Sequence, residues 1–256
     1  MYKNKKIGVV IPAYNEEKFI GCVIKTIPQF VDRIYVVNDA STDSTLGIAL
    51  EMSKRDGRVA VINRQIRGGV GAAIASGHIR ALKEEMDIVA VMAGDGQMDP
   101  AILSKIIDPV AEGRAEYAKG DRISNPENRK GMPKWRLFGN LILTLLTRFV
   151  SGYWDVSDPQ NGYTALSTSA LRKLDLGNIE KGFAFENDML VKLNVVGARV
   201  VDVPHPAIYR GQNSKIRYYH FILSTSWVLL KDLIWRIWVK SSDLNVLFPK
   251  AKKKEL

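Results

Sequence analysis

The feature of the sequence that most constrains its fold is the alternation of short apolar runs with helix-like segments between residues 7 and 92. Continuous apolar runs of this length are typical of strands buried on both faces of a sheet. Strands that alternate with helices predict an α/β fold, a mostly parallel sheet flanked by helices. We predict strands at residues 7–11, 34–37, 59–63 and 88–92, and helices at residues 15–26, 41–55 and 71–85.

Polar loops follow three of these predicted strands, at residues 12–16, 38–41 and 94–97. Right-handed crossovers place the carboxyl ends of parallel strands at one edge of the sheet, where ligands of open α/β sheets bind. The sequence therefore predicts one ligand site built from these loops.

The second half of the chain is less regular. A polar, basic stretch is predicted to be a loop, and two apolar segments are predicted to be helices before a last strand. These segments are residues 122–136 for the loop, 137–150 and 183–195 for the helices, 158–163 for a turn-rich connector and 199–203 for the strand.

Composition narrows the class of protein. The 256 residues carry a formal net charge of +10, which favours anionic partners such as nucleotides or an acidic membrane surface. No nucleic-acid-binding motif is present, so nucleic acid is the least favoured of the possible anionic partners. A single cysteine, Cys22, excludes an internal disulfide and fits a reducing compartment. No stretch reaches the ~18 apolar residues of a membrane span, which predicts a cytoplasmic, peripheral protein.

The C-terminal segment, residues 218–240, is predicted to be an amphipathic helix followed by a basic tail. Five large apolar residues fall on one helical face: Leu223, Trp227, Leu230, Ile234 and Ile237. Tryptophans suit a membrane interface, so one interpretation is a helix lying on the membrane. The other is a helix packed against the core of its own domain.

Three loops have the composition of ligand sites. Asp95 and Gln97 offer oxygen ligands to a hard cation, or form an ordinary Asp-Gly turn. Asp39 could bind a ribose or base, or cap the next helix. The glycines of residues 68–71 allow close approach of an anion to a helix N-terminus, or simply make a tight turn.

Charged clusters lie outside these loops. Arginine forks suit phosphate, although such runs are also common on solvated loops. Glu186 and Asp188 could act as a general base, or be surface acids at a helix N-terminus. The three histidines lack metal-ligand spacing and are interpreted as structural. The basic clusters are Arg122, Arg129, Lys130, Lys134 and Arg136, followed by Arg210, Lys215 and Arg217.

Three motifs together resemble family 2 glycosyltransferases of the GT-A fold, and within them the polyprenyl- and dolichyl-phosphate sugar synthases. They read IPAYNEE at residues 11–17, VNDASTD at 37–43 and GVGAA at 69–73. The likeness extends over roughly residues 6–217, which predicts a GT-A domain there and a separate membrane-surface helix and tail at 218–256.

The resemblance implies roles for residues on the donor side. The nucleotide is expected to contact Pro12, Ala13, Tyr14, Glu16, Asp39, Gly69 and Asp95. Asp95 and Gln97 are expected to hold Mg²⁺ or Mn²⁺. Ala93 stands where the family carries a first aspartate, which implies weaker or rearranged metal binding.

The resemblance also implies an acceptor side and a chemistry. Polyprenyl or dolichyl phosphate is expected to contact Arg122, Arg136, Gln160, Asn161 and Lys215, and catalysis to use Asp95, Arg122, Arg136 and Arg210. The expected reaction is an inverting transfer from a UDP- or GDP-sugar. The alternatives are transfer to a sugar hydroxyl with Glu186 or Asp188 as base, and a silent nucleotide-sugar binder. The sequence leaves open whether the protein binds a membrane subunit or forms a homo-oligomer.

Overall fold

A computed structural model describes residues 1–129, 132, 134–207 and 218–247, without the side chains of residues 134–136, 218–222 and 242–247. Its centre is a seven-stranded sheet in the order β3-β2-β1-β4-β6-β5-β7. The strands are β1 (Ile7–Ala13), β2 (Arg33–Asp39), β3 (Val59–Arg64), β4 (Ile88–Val91), β5 (Tyr117–Asp121), β6 (Thr164–Ser167) and β7 (Val200–Pro204). The α/β prediction is confirmed.

The described residues contain eight α-helices. They are α1 (Ile20–Thr26), α2 (Thr45–Arg55), α3 (Val70–Lys83), α4 (Leu103–Ala111), α5 (Lys134–Ser151), α6 (Thr168–Leu171), α7 (Phe185–Val195) and α8 (Tyr218–Leu247). Buried side chains of α1, α2 and α4 cover one face of the sheet, and those of α3, α6 and α7 cover the other. Alternate residues of β1 serve the two cores, because successive side chains of a strand point to opposite faces.

All strands except β6 run in the same direction. β1 pairs in parallel with β2 and β4, whereas β6 lies antiparallel between β4 and β5. β7 is parallel to β5. The carboxyl ends of β1, β2, β4, β5 and β7 therefore share one edge with the amino end of β6.

Two helices begin later than predicted. The segments predicted to start at residues 15 and 41 become helical only at Ile20 and Thr45. The intervening residues bond the first loop to the second: Asn15 N donates to Ser41 Oγ at 3.1 Å, and Glu16 N donates to Thr45 Oγ1 at 2.8 Å. Asn15 has a φ of 54°, which no helix tolerates.

Four elements were absent from the sequence prediction: α4, α6, β5 and β6. In addition, α5 begins at Lys134, inside the segment predicted to be a loop. β5 reads YAKGD, and its lysine, glycine and aspartate conceal a strand that is buried at every position. The boundary predicted at residue 217 lies outside the described residues.

Helix α8 packs against α5 and α7 through a face that mixes apolar and polar side chains, among them Leu229, Leu233 and Trp235. Leu229 contacts Val150 of α5 and Val191 of α7, and Asp232 is buried beside them. The predicted apolar stripe points outward, with Trp227 68% exposed. A second exposed stripe lies on α5, formed by Phe138, Leu141, Ile142, Leu145, Leu146 and Phe149. Among the helices of the described residues, none is long and apolar enough to cross a bilayer.

Candidate active site

The shared edge of the sheet carries a pocket of about 60 Å³ that joins four separate parts of the chain. The loop after β4 contributes Asp95 and Gln97, the end of β5 contributes Arg122, and the connector before β6 contributes Asn161. The residue after β7, His205, completes the wall. The structure thus brings together four of the residues predicted for the metal and acceptor sites.

Asp95 and Gln97 are held by a local turn. Asp95 Oδ1 accepts a hydrogen bond from Gln97 N at 2.9 Å, and Gly96 between them has a φ of +75°. Aspartate commonly bonds its own backbone two residues on, and glycine adopts the left-handed conformation without steric cost. The turn and the predicted site are therefore one structure, since both side chains still line the pocket.

The oxygen atoms that line this pocket suit a divalent cation that binds together with the phosphates of a substrate. Within the described residues, no three His, Cys, Asp or Glu side chains lie close enough together to bind one ion. Mg²⁺ commonly binds through one or two carboxylates and takes its remaining ligands from substrate phosphates and water. Asp95 with the Gln97 amide matches this pattern, and Ala93, which also lines the pocket, offers no side-chain ligand.

Arg122 is fixed by Asp158 of the connector. Its Nε and Nη2 donate to Oδ2 and Oδ1 of Asp158 at 2.7 and 3.1 Å, and its backbone N donates to Oδ2 at 3.2 Å. Asp158 is fully buried, and although burial opposes its ionisation, the guanidinium lowers the pKa of this carboxyl below its usual value. The pair presents a rigid, oriented arginine to the pocket.

Asn161 and His205 form the next layer of the wall. The Nε2 atom of His205 lies 2.7 Å from Asn161 Nδ2, and its Nδ1 lies 2.9 Å from the Pro206 carbonyl. A carbonyl only accepts, so Nδ1 carries the proton and Nε2 accepts from the amide. Burial lowers the pKa of His205, which agrees with a neutral ring. The histidine was interpreted as structural; its position directly after a strand was the signal that it belongs to the site.

Asp39 is the centre of a different network. Its Oδ1 accepts from Arg64 Nε and Gly68 N, both at 2.9 Å, and its Oδ2 accepts from Gly69 N at 2.8 Å. A cap of α2, one of the two roles considered from sequence, is not among these bonds. Asp39 instead holds the glycine loop against the end of β2, and its role toward a nucleotide stays a prediction.

The glycines of this loop are explained by a close neighbour within the chain. A Cβ on Gly69, whose φ is +94°, would lie 2.5 Å from the Lys181 carbonyl, and one on Gly71 would collide with the Glu180 carbonyl. Gly71 N donates to the Lys181 carbonyl at 2.9 Å. These first amides of α3 thus have partners within the protein, which favours the tight-turn interpretation for this loop.

Tyr14 of the first loop has a cationic neighbour that the sequence did not reveal. The guanidinium of Arg67 lies over the Tyr14 ring, 3.8 Å from its centre. Stacking of this kind holds an arginine in place while its edge stays available to a ligand. The first loop, the second loop and the glycine loop therefore meet around Tyr14.

The two acidic residues of α7 have different environments. Asp188 is buried, accepts from Glu180 N at 2.6 Å and pairs with Lys192 Nζ at 2.5 Å. Glu186 lies against the connector, with its Oε1 3.2 Å from the position of a Cβ on Gly162. Burial raises the pKa of Glu186, opposed by the charge of Lys119. Glu186 is therefore the acid that faces the site.

Of the other residues predicted for the acceptor site and for catalysis, only Gln160 has a described side chain. Gln160 points toward α7, where its Nε2 donates to Asn187 Oδ1 at 2.9 Å. Arg136 lies in the first turn of α5, but its side chain is outside the described residues. Arg210 and Lys215 lie outside the described residues altogether. The roles of these residues stay predictions.

The fold matches solved glycosyltransferases of the GT-A class. Glucosyl-3-phosphoglycerate synthase from Mycobacterium tuberculosis, crystallised with Mn²⁺, UDP-glucose and phosphoglyceric acid, superposes with a TM-score of 0.67. The match covers 90% of this chain and 80% of that one at 19% sequence identity, which shows the fold.

The sequence relationship is closer and identifies the family. The profile of glycosyl transferase family 2 matches residues 8–175, and the chain belongs to this family of enzymes. UDP-N-acetylglucosamine–dolichyl-phosphate N-acetylglucosaminyltransferase of Methanococcus voltae is 32% identical, and the match covers 84% of this chain and 93% of that protein. Polyprenol monophosphomannose synthase of Mycolicibacterium smegmatis is 33% identical, with 77% and 75% covered.

Proposed function

We propose that this glycosyltransferase moves a sugar from a nucleoside-diphosphate donor to a polyprenyl phosphate at a membrane surface. The observation that carries the proposal is the meeting of Asp95 and Arg122 in one pocket. A carboxylate suited to a metal-bound diphosphate and an oriented guanidinium suited to a phosphate are the two recognition elements that this reaction requires.

On the donor side, Asp95 and Gln97 would hold Mg²⁺ or Mn²⁺ against the diphosphate. When bound, the ion stabilises negative charge on the leaving nucleoside diphosphate. The loops around Tyr14, Asp39 and Gly69 would receive the nucleotide. The name of the Methanococcus voltae relative specifies a UDP-linked sugar, so UDP-N-acetylglucosamine is the first donor to test. A GDP-sugar is the alternative donor.

On the acceptor side, Arg122 would align the lipid phosphate. A phosphate oxygen attacks the anomeric carbon, the bond from that carbon to the diphosphate oxygen breaks, and its electron pair leaves with the nucleoside diphosphate. A phosphate monoester has a second pKa near 6, so it is already anionic at neutral pH and requires positioning more than deprotonation. Single displacement inverts the anomeric configuration.

The exposed stripes of α5 and α8 support a location on the membrane. On α8, Trp227 and Trp238 are exposed together with the predicted apolar stripe, so these apolar side chains are directed away from the domain. Such faces bind the boundary between lipid head groups and acyl chains. Lys231 and Arg236 on α8 add positive charge, which anionic lipids attract.

The test is transfer of radiolabelled sugar from UDP- and GDP-sugars, with Mg²⁺ or Mn²⁺, into an organic phase that contains polyprenyl phosphate. We expect label in that phase from one donor, and its loss in Asp95→Ala. Leu50→Ala, which changes an exposed residue of α2, is the matched control. Donor binding without lipid product from any donor would overturn the proposal and favour a silent binder.

A second candidate is transfer to a sugar hydroxyl. The observation in its favour is Glu186, whose carboxylate lies against Gly162 of the connector and whose pKa is raised by burial. A hydroxyl acceptor requires a base of this kind, whereas a phosphate does not.

A further inference from the structure

The connector before β6 rests on a buried lysine. Lys119, in the middle of β5, is fully buried, and its Nζ donates to the backbone carbonyl of Asn161. Lysine is almost never fully buried without a paired charge. Moving an ammonium group from water into a protein interior costs on the order of several kcal/mol. β5 therefore carries an energetically costly buried lysine directly beneath the site.

Three neighbouring elements bring charged side chains close to Lys119. Glu186 faces it from α7, Asp202 from β7 and Asp158 from the connector, while Arg122 is the neighbouring cation on its own side. Asp202 is directly opposite Lys119 in the pairing of β5 with β7, and its Oδ2 accepts from Ser157 N at 2.5 Å. The ammonium thus lies between the carboxylates that border both ends of the connector.

The connector is what orients the acceptor side. Its Asp158 fixes the Arg122 guanidinium, and its Asn161 fixes the His205 ring. The Asn161 side chain is in turn held by Tyr163 N, which donates to Asn161 Oδ1 at 3.0 Å. The Lys119 ammonium holds the main chain at the centre of this turn.

We propose that Lys119 is a positioning residue of the transferase, whose buried ammonium fixes the Asn161 carbonyl and thereby the turn that aligns Arg122 with the acceptor phosphate. The inference rests on the proposed function for the identity of the acceptor, but not for the role in holding the turn. Burial lowers the pKa of Lys119 to about 8, opposed by Glu186, Asp158 and Asp202, so its charge is lost in a range where activity is measurable.

The test compares Lys119→Met, which keeps the length of the stem and removes the charge, with Lys119→Arg and with Lys105→Met, an exposed lysine on α4. We expect kcat/KM for polyprenyl phosphate to fall roughly 100-fold in Lys119→Met while the donor Kd is unchanged, since small misplacement of a catalytic group costs about this much. In Lys119→Arg, activity should no longer decline above about pH 8, because a guanidinium stays protonated. Lys105→Met should match the wild type.

Hydrogen exchange of the backbone amides of residues 158–163 gives a readout that is independent of turnover. In Lys119→Met we expect these amides to exchange faster than in the wild type, whereas the amides of β1 and β4 should exchange at the wild-type rate. Unchanged exchange in the connector would overturn the proposal, and so would equal losses of donor affinity and acceptor kcat/KM. A wild-type enzyme without transfer to polyprenyl phosphate would instead contradict the proposed function and leave the exchange result to decide the role of Lys119.

Discussion

Arg122 and Asp158 form a three-point contact across the active site, in which the arginine side chain and main chain both donate to one fully buried carboxylate. The contact joins the end of β5 to the connector before β6, two segments that are 36 residues apart in sequence. It is therefore both a structural link and the element that orients the guanidinium toward the pocket.

Removal of Arg122 should destabilise the protein by leaving a buried charge unpaired. We expect Arg122→Ala to lower the free energy of unfolding by about 3 kcal/mol, as for other buried pairs that lose one partner. Urea unfolding at neutral pH measures this loss. The double variant Arg122→Ala/Asp158→Asn should recover part of it, because the unpaired carboxylate is then gone; equal stability of single and double variants would contradict the explanation.

Substitution of Glu186 distinguishes the two candidate acceptors. If the acceptor is a phosphate, Glu186→Gln should retain kcat within about tenfold of the wild type, because no base is needed. If the acceptor is a hydroxyl, the loss should be about 10²- to 10⁴-fold. Transfer assays with polyprenyl phosphate and with free sugars measure both. Asp188→Asn serves as the structural comparison, and its main effect should be a lower Tm because Asp188 pairs with Lys192.

His78 of α3 should make the fold less stable in acid. Its ring is fully buried, neither nitrogen has a partner among the described residues, and burial lowers its pKa to about 4. The unfolded chain, with a histidine pKa near 6.5, takes up the proton first, so stability falls as pH decreases from about 6.5 to about 4. Across this pH range, the urea concentration at the midpoint of unfolding should change less with pH in His78→Phe than in the wild type. An unchanged slope would exclude the histidine as its source.

Asp232 of α8 should act in the opposite direction. Its Oδ2 is buried without a partner in the described part of the chain, and burial, with Asp188 nearby, raises its pKa to about 7. The folded protein therefore binds the proton more tightly than the unfolded chain, and stability falls as pH rises from about 4 to about 7. Asp232→Asn should be more stable than the wild type at pH 7 and similar to it near pH 4. Paired urea titrations of both proteins at the two pH values measure the difference.

The outward stripe of α8 should govern binding to lipid. We expect Leu230→Gln/Ile234→Gln to weaken association with vesicles of mixed anionic and neutral phospholipid by roughly 100-fold, since each buried side chain contributes about 1.5 kcal/mol or more. Flotation of the protein with vesicles measures the partition. Leu50→Gln, the same change at an exposed leucine of α2, should float like the wild type. Equal flotation of all three proteins would show that α8 does not contact lipid.

Much of the fold could be predicted from sequence, because in the first half of the chain the local sequence patterns agree with the strands and helices that form there. Short continuous apolar runs between helix-like segments indicate strands of a parallel sheet, and the polar loops after them then fall at one edge. Prediction failed where tertiary contacts override composition. β5 contains Lys119, Gly120 and Asp121, and becomes a strand because β6 and β7 pair with it on both sides. No local pattern reveals such a strand.

The same reasoning applies to the site. Asp95 and Gln97 were predictable, because a short turn after a buried strand places them. His205 was missed although it directly follows β7, because its role in the site depends on Asn161, 44 residues earlier in the chain. The antiparallel β6 brings the connector to this edge of the sheet from the amino end of a strand, whereas the three polar loops at residues 12–16, 38–41 and 94–97 all follow strands.

The outward apolar stripe of α8 has a consequence for the protein in plain buffer. Because this stripe and Trp238 are exposed to water, we expect two copies of the chain to associate through these surfaces when lipid is absent. Self-association would then compete with lipid binding for the same surface. Mild detergent should then disperse the chain into single copies, and the fraction that self-associates should decrease as vesicles are added.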